Sequence, residues 1–163
     1  MSGEQRKRFD VIFQGTGKSA GKMRNDISVE WPMMKERFEL ATDEGPFHGG
    51  DGTAPPPLAL FTAALTGCLM TQIRAFSRRL NIAIRDVEVT AKLHWMGEQA
   101  GEGPYETAPV SFELDVDIDS DAAPDELAHL LECSRKGCFI EQTLARGIVV
   151  GHRLKLGDEW RSV

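Results

Sequence analysis

The chain has 163 residues, 41% of them hydrophobic and 27% charged, with a net charge of −6. That size and composition fit a single soluble domain, 1–163, with an apolar core, and exclude a disordered chain. The acidic balance argues against nucleic acid as a bulk partner, since phosphate binding needs a basic face. No membrane partner is expected: the apolar-rich run Pro57 to Ile73 is interrupted by Thr62, Thr66, Gly67, Thr71 and Gln72 and is too short to cross a bilayer. Gln5-Arg6-Lys7-Arg8 is basic, but Phe9 to Phe13 after it contains Asp10 and is too short for a signal-peptide core.

Strand patterns come first. Phe9, Val11 and Phe13 alternate, and Gly15, Gly17 and Gly21 mark a turn. Ile27, Val29 and Trp31 alternate next, and Phe38 with Leu40 makes a shorter run. Together they predict a small antiparallel meander. The loop from Asp43 to Pro57 carries Gly45, Pro46, Gly49-Gly50-Asp51-Gly52 and three consecutive prolines. Its glycines permit positive φ and close backbone approach. No Lys-Ser/Thr follows, so it is not a P-loop, and it reads as a linker from sheet to helix.

The longest helix is expected from Pro57 to Leu80. Leu58, Phe61, Leu65, Cys68, Leu69, Ile73 and Phe76 recur at helical spacing and form one apolar stripe. Ala63, Ala64 and Gly67 are small enough for another backbone to approach. Arg74, Arg78 and Arg79 complement the dipole at the helix end. Val87 to Trp95 and Val110 to Ile118 then alternate apolar and polar residues as a hairpin around Gly97–Pro104, with His94 on the polar face. A helix follows over about Asp125–Lys136, with Leu127, Leu130, Leu131 and Ser134 inward and Gly137 as a C-terminal cap. Cys138 opens a short helix, Phe139 to Ala145, ended by Gly147. Ile148, Val150, Leu154 and Leu156 predict a last strand. The order predicts an α+β fold with antiparallel sheet.

The cysteines are the reactive set. Cys68, Cys133 and Cys138 are odd in number, with no C-x-x-C, so they do not read as a disulfide scaffold. No Cys/His zinc spacing occurs, and His48, His94, His129 and His152 are scattered; neither a metal nor a cofactor is expected. Cys138 follows Gly137 at a helix start, with Arg135 and Lys136 near, and both features stabilise a thiolate. Cys68 lies inside an apolar helix, where burial raises a thiol pKa; on spacing alone it reads as a core thiol that needs a cation to react. Cys133 sits near a helix C-terminus, which disfavours a thiolate, and is given no role.

Gly49-Gly50-Asp51-Gly52, Pro55-Pro56-Pro57-Leu58, Ala63-Ala64-Leu65-Thr66-Gly67-Cys68, and Cys138 heading a short helix before Gln142-Thr143-Leu144 resemble the OsmC-like family, which includes the organic hydroperoxide resistance proteins. The resemblance runs along nearly the whole chain. It implies antiparallel sheets around a long central helix with a second helix pair, in an intertwined homodimer with active sites at the subunit interface. It further implies a cytoplasmic, thiol-dependent peroxidase reducing organic hydroperoxides. Cys68 matches the cysteine that attacks the peroxide, and Cys138 the one that resolves the sulfenic acid as a disulfide; the reductant is a dithiol such as a lipoyl group. Two positions depart from the family. Pro57-Leu58-Ala59-Leu60 lacks the glutamate that follows the helix-opening proline and holds an arginine over the reactive cysteine. Phe139 and Ile140 stand where a proline usually follows the second cysteine. Arg24 and Arg37 are the alternatives for the activating cation. The other reading is a non-catalytic stress protein that binds a small hydrophobic ligand in the dimer cleft.

Overall fold

A computed structural model of the protein describes residues 7–163, so Gln5 and Arg6 of the basic run lie outside the described residues. The chain divides into two compact units, Met1–Phe61 and Thr62–Val163. The first holds strands β1 (Gln14–Ser19), β2 (Asn25–Trp31) and β3 (Glu36–Thr42), an antiparallel meander with β2 in the middle. The alternating run Phe9–Phe13 is not a strand, and the first strand includes Gly15 and Gly17, expected in a turn. Register explains their tolerance. Gly15 pairs with Val29 and Gly17 with Ile27, on the apolar face that Phe38 and Leu40 continue from β3. The opposite face pairs Lys18 with Asp26 and Glu30 with Arg37, opposite charges across neighbouring strands.

The segment expected to be a linker is an ordered loop closed on a buried acid. Asp43 is 2% exposed and accepts from the backbone N–H of Glu44 and Thr53, each at 2.9 Å, and from the Thr53 hydroxyl at 2.8 Å. The Gly52 N–H adds a bond to the Glu44 carbonyl at 3.0 Å. Gly50 is buried inside this loop, and a Cβ there would fall 1.8 Å from the Glu44 carbonyl oxygen, so no side chain fits. Arg24 Nη1 reaches Thr53 Oγ1 at 3.0 Å, and Lys22 pairs with Asp51 at 2.6 Å.

The long helix α1 (Pro57–Leu80) falls where the apolar stripe predicts it. At 24 residues it is long and apolar enough, by length and composition, to cross a membrane, which corrects the judgement made on the shorter run Pro57–Ile73. Leu65, Leu69, Ile73 and Ser77 are buried along it, whereas Leu58 at its start is 53% exposed. Strands β4 (Asp86–Glu98) and β5 (Glu106–Asp119) form the expected hairpin, longer than the alternation alone predicts, with a register shift at His94/Trp95. Helix α2 (Pro124–Gly137) starts where Glu126 Oε2 accepts the Ala123 N–H at 3.0 Å. Helix α3 is Phe139–Arg146. Leu69 and Ile73 from α1, Ile82, Val87 from β4, Leu130 from α2 and Cys138 form one core, flanked by Val89, Leu114, Val116 and Ile118.

The chain end differs from the expected single strand. Ile148–Gly151 forms no strand, and β6 (Arg153–Leu156) turns at Gly157, φ 64°, into β7 (Glu159–Ser162). The Gly157-Asp158 dipeptide is a two-residue hairpin signal that the alternation of Ile148 and Val150 obscured.

Arg85 clamps the ends of the hairpin by pairing with Asp119, and its Nη1 lies 2.6 Å from Asp121. That pairing holds the Asp119 carboxyl below its ordinary range, and the Thr53 hydrogen bonds do the same for Asp43. Depressed carboxyl pKa values stabilise the fold fully above the unfolded value, about 4, and that stability is lost as pH falls through the folded values. The urea midpoint of the wild type should therefore drop steeply below about pH 4. Asp43→Asn should be less stable at neutral pH and show a shallower acid decline; a decline as steep as wild type would remove Asp43 from this account.

Candidate active site: a pair of adjoining thiols

Cys68 sits on α1 between Leu65 and Leu69, half-buried and packed against the core. Cys138 is the single residue between α2 and α3 and is fully buried. Its extended backbone, φ −74° and ψ 110°, ends one helix and starts the next. Its N–H donates to the Arg135 carbonyl at 3.3 Å, and its own carbonyl accepts from Gln142 at 2.9 Å. The Glu141 N–H donates to its sulfur at 3.5 Å. Cys68 packs against the core cluster that contains Cys138 and is near enough to raise its pKa, so the fold brings together the two cysteines singled out from the sequence.

Burial pushes the Cys138 thiol up to about 11; the Glu141 N–H opposes this, and the neighbouring Cys68 adds to the rise. The sequence reading gave Cys138 an acidic setting, and in the structure burial raises its pKa instead. A helix N-terminus is worth about 0.3–1 kcal/mol, less than one pKa unit, while burial moves a group by up to about 3–5 units. The neighbouring cations are engaged as well: Arg135 Nε lies 2.8 Å from Glu141 Oε1 and Lys136 Nζ lies 2.5 Å from Glu132 Oε1. A Cys138 that keeps its proton can donate a hydrogen bond to a Cys68 thiolate, and two adjoining thiols can close to a disulfide.

Gly137 differs from its expected role. Its φ is not positive, and it is the last residue of α2 rather than a cap beyond it. A Cβ at Gly137 would lie 2.5 Å from Cζ and 2.7 Å from Cε2 of Phe76, and 3.4 Å from Gln72 Oε1. Sequence reasoning missed this contact, and a glycine directly before the buried cysteine was its only signal. Cys133 sits one helical turn from His129, its sulfur 3.7 Å from Nε2. Within the first unit, Arg24 is held by Asp26 at 2.9 Å and by Thr53, while Arg37 pairs with Glu39 at 2.5 Å and lies 3.7 Å from Glu30. The first turn of α1 carries no carboxylate.

Residues 50–153 match the family model of OsmC-like proteins. An OsmC-like hydroperoxide resistance protein from Jannaschia sp. CCS1 is 46% identical, with TM-score 0.65 over 94% of this chain and 98% of that chain. The chain belongs to the OsmC-like family. An organic hydroperoxide resistance protein from Elizabethkingia anophelis, crystallised with thiocyanate bound, shares the fold at 19% identity, with TM-score 0.57 over 88% of this chain and 92% of that one. The organic hydroperoxide resistance protein OhrB of Bacillus subtilis does so at 18% identity, with TM-score 0.54 over 85% and 92%. No match was found among curated proteins.

Alkylation of the cysteines followed by mass spectrometry should find Cys138 the slowest to react at neutral pH, its rate rising only toward about pH 11. Cys68→Ser removes the neighbouring charge and should lower that midpoint, though not to the free-thiol value of about 8.5, because burial remains. A Cys138 that alkylates as fast as a free thiol at pH 8 would contradict the burial argument.

Proposed function

We propose that this chain is a thiol-dependent peroxidase acting on organic hydroperoxides. The single observation that carries the reading is the packing of the half-buried free thiol of Cys68 against the core cluster that holds the buried free thiol of Cys138. In the first step the Cys68 thiolate attacks the distal peroxide oxygen of ROOH. The O–O bond breaks, the sulfur is oxidised to sulfenic acid, and the alkoxide leaves and takes a proton as ROH. In the second step the Cys138 sulfur attacks the sulfenic sulfur, an S–S bond forms, and its proton leaves with the hydroxyl as water. A dithiol then exchanges with the disulfide, restoring both thiols and leaving as its own cyclic disulfide. The apolar residues around Cys68 favour alkyl over hydrogen peroxide, because an alkyl chain gains by burial.

The second reading is a binding protein for a small hydrophobic ligand on the same scaffold, and the absence of a carboxylate from the first turn of α1 favours it. One equivalent of cumene hydroperoxide distinguishes the two. The peroxidase reading expects a Cys68–Cys138 disulfide in the wild type and dimedone-trapped sulfenic acid on Cys68 in Cys138→Ser. It expects no consumption by Cys68→Ser and undiminished activity in Cys133→Ser. No oxidation of either cysteine would favour the binding protein, and dimedone on Cys138 in Cys68→Ser with turnover intact would reverse the roles.

We further propose a cytoplasmic homodimer in which both units of each chain act as one OsmC-like domain. Support comes from small and apolar residues left uncovered. Ala63, Ala64 and Gly67 form an exposed strip on α1, Leu58 is 53% exposed and Val149 95%. Apolar surface on this scale marks association sites. Sedimentation at micromolar concentration should give a dimer; a stable folded monomer would overturn this part of the proposal.

A further inference from the structure

We infer that Gly137, by leaving room for the Phe76 ring, preserves the reach between the two thiols and acts as a positioning residue for disulfide closure. This rests on the peroxidase reading for its purpose, though not for its test. The geometry is specific. Phe76 is two helical turns beyond Cys68 on α1, and its ring edge occupies the space where a Gly137 side chain would be. Gly137 is the last residue of α2 and is bonded to Cys138. The ring therefore lies against backbone one peptide unit from the resolving sulfur, and a side chain at 137 would force the helix end and α1 apart.

The contact is defined on both sides. Phe76 is half-buried, packs against the core, and carries the Arg79 guanidinium 5.3 Å from its centroid, which restricts how far the ring can swing. On the other side the α2–α3 junction is tied by Arg135–Glu141 at 2.8 Å and by Gln142 Nε2 to the Arg135 carbonyl at 3.0 Å. A junction held this way shifts as a unit. A methyl group at 137 cannot stay at 2.5 Å from an aromatic carbon, so either the ring or the Cys138 segment moves. Disulfide closure tolerates little displacement, since Cα atoms must come within about 7 Å with Cβ vectors converging.

No glycine conformation is at stake, because the φ of Gly137 is one that alanine adopts readily. In a solvent-facing position alanine would stabilise the helix end. A glycine here is explained by the ring against it.

The test is the thiol–disulfide equilibrium of the pair against reduced and oxidised dithiothreitol, which needs no peroxide. The oxidised reagent takes two electrons and two protons from Cys68 and Cys138, so the equilibrium constant reports their effective concentration. Gly137→Ala should lower it by about tenfold or more, the scale of a loss from misplacement of an ångström or less. Phe76→Leu should change it little, and Phe76→Leu with Gly137→Ala should return it to within about threefold of Phe76→Leu. A Gly137→Ala equal to wild type, a loss that Phe76→Leu does not recover, or a wild type that forms no Cys68–Cys138 disulfide would overturn the inference. Should Gly137→Ala not fold, the double variant decides: folded with undiminished effective concentration, it supports the inference; unfolded or diminished, it refutes it. Failure of the peroxidase reading would appear separately, as wild-type protein that closes its disulfide with dithiothreitol but consumes no hydroperoxide.

Discussion

Burial of Cys138 is the constraint on which the chemistry of this fold depends. The residue sits where two helices meet, so its sulfur lies at a helix N-terminus and inside the core at once. These settings pull its proton affinity in opposite directions. The core prevails, because the backbone N–H groups of Glu141, at 3.5 Å, and Ile140 do not offset removal of a would-be anion from water. The consequence is a division of labour. In the proposed peroxidase cycle the less buried Cys68 would carry the access that an attacking sulfur needs, with Cys138 protonated beside it. A protonated resolving thiol would not compete for peroxide, yet it could supply the proton that leaves with water in the proposed closing step.

The first turn of α1 carries no carboxylate. Arg24 is instead ordered by Asp26 and by Thr53, and Thr53 is in turn fixed by the buried Asp43. The glycine-rich loop thus organises the first unit much as Cys138 organises the second. Among the described residues, its buried ones are a threonine, an aspartate and a glycine, while Phe38 and Leu40 remain 42% and 47% exposed. Polar closure of the loop supplies order that apolar burial does not.

Elements with strong periodicity were legible in the sequence. The bounds of α1, the β4–β5 hairpin and the Cys138 helix start followed from 3.6- and 2-residue spacing and from glycine and proline punctuation. The failures have physical causes. The first strand was misplaced because glycines are ordinary strand residues when they face Val29 and Ile27 across a ladder, a fact of register that no local pattern reveals. Asp43 was passed over because a buried acid is recognised by its partners, and Thr53 lies ten residues on. The Asp-Glu-Gly-Pro stretch did carry a turn signal that could have found it. Gly137 was read as a cap because conformation is the commoner reason for glycine at a helix end, whereas here the reason is an aromatic ring from another helix.

The legibility of Cys138 is instructive in a different way. Its position at a helix start was read correctly, and its acidity was read from that position and from the neighbouring Arg135 and Lys136. Helix termini act over one turn and through a few donors, so they are visible locally; desolvation is the sum over everything packed around a sulfur and appears only when the chain is folded. Residues of the second unit distant in sequence, Leu69, Ile73, Ile82, Val87 and Leu130, join it in one core. Long-range burial therefore decides that Cys138 keeps its proton, and local helix geometry decides only where that cysteine stands.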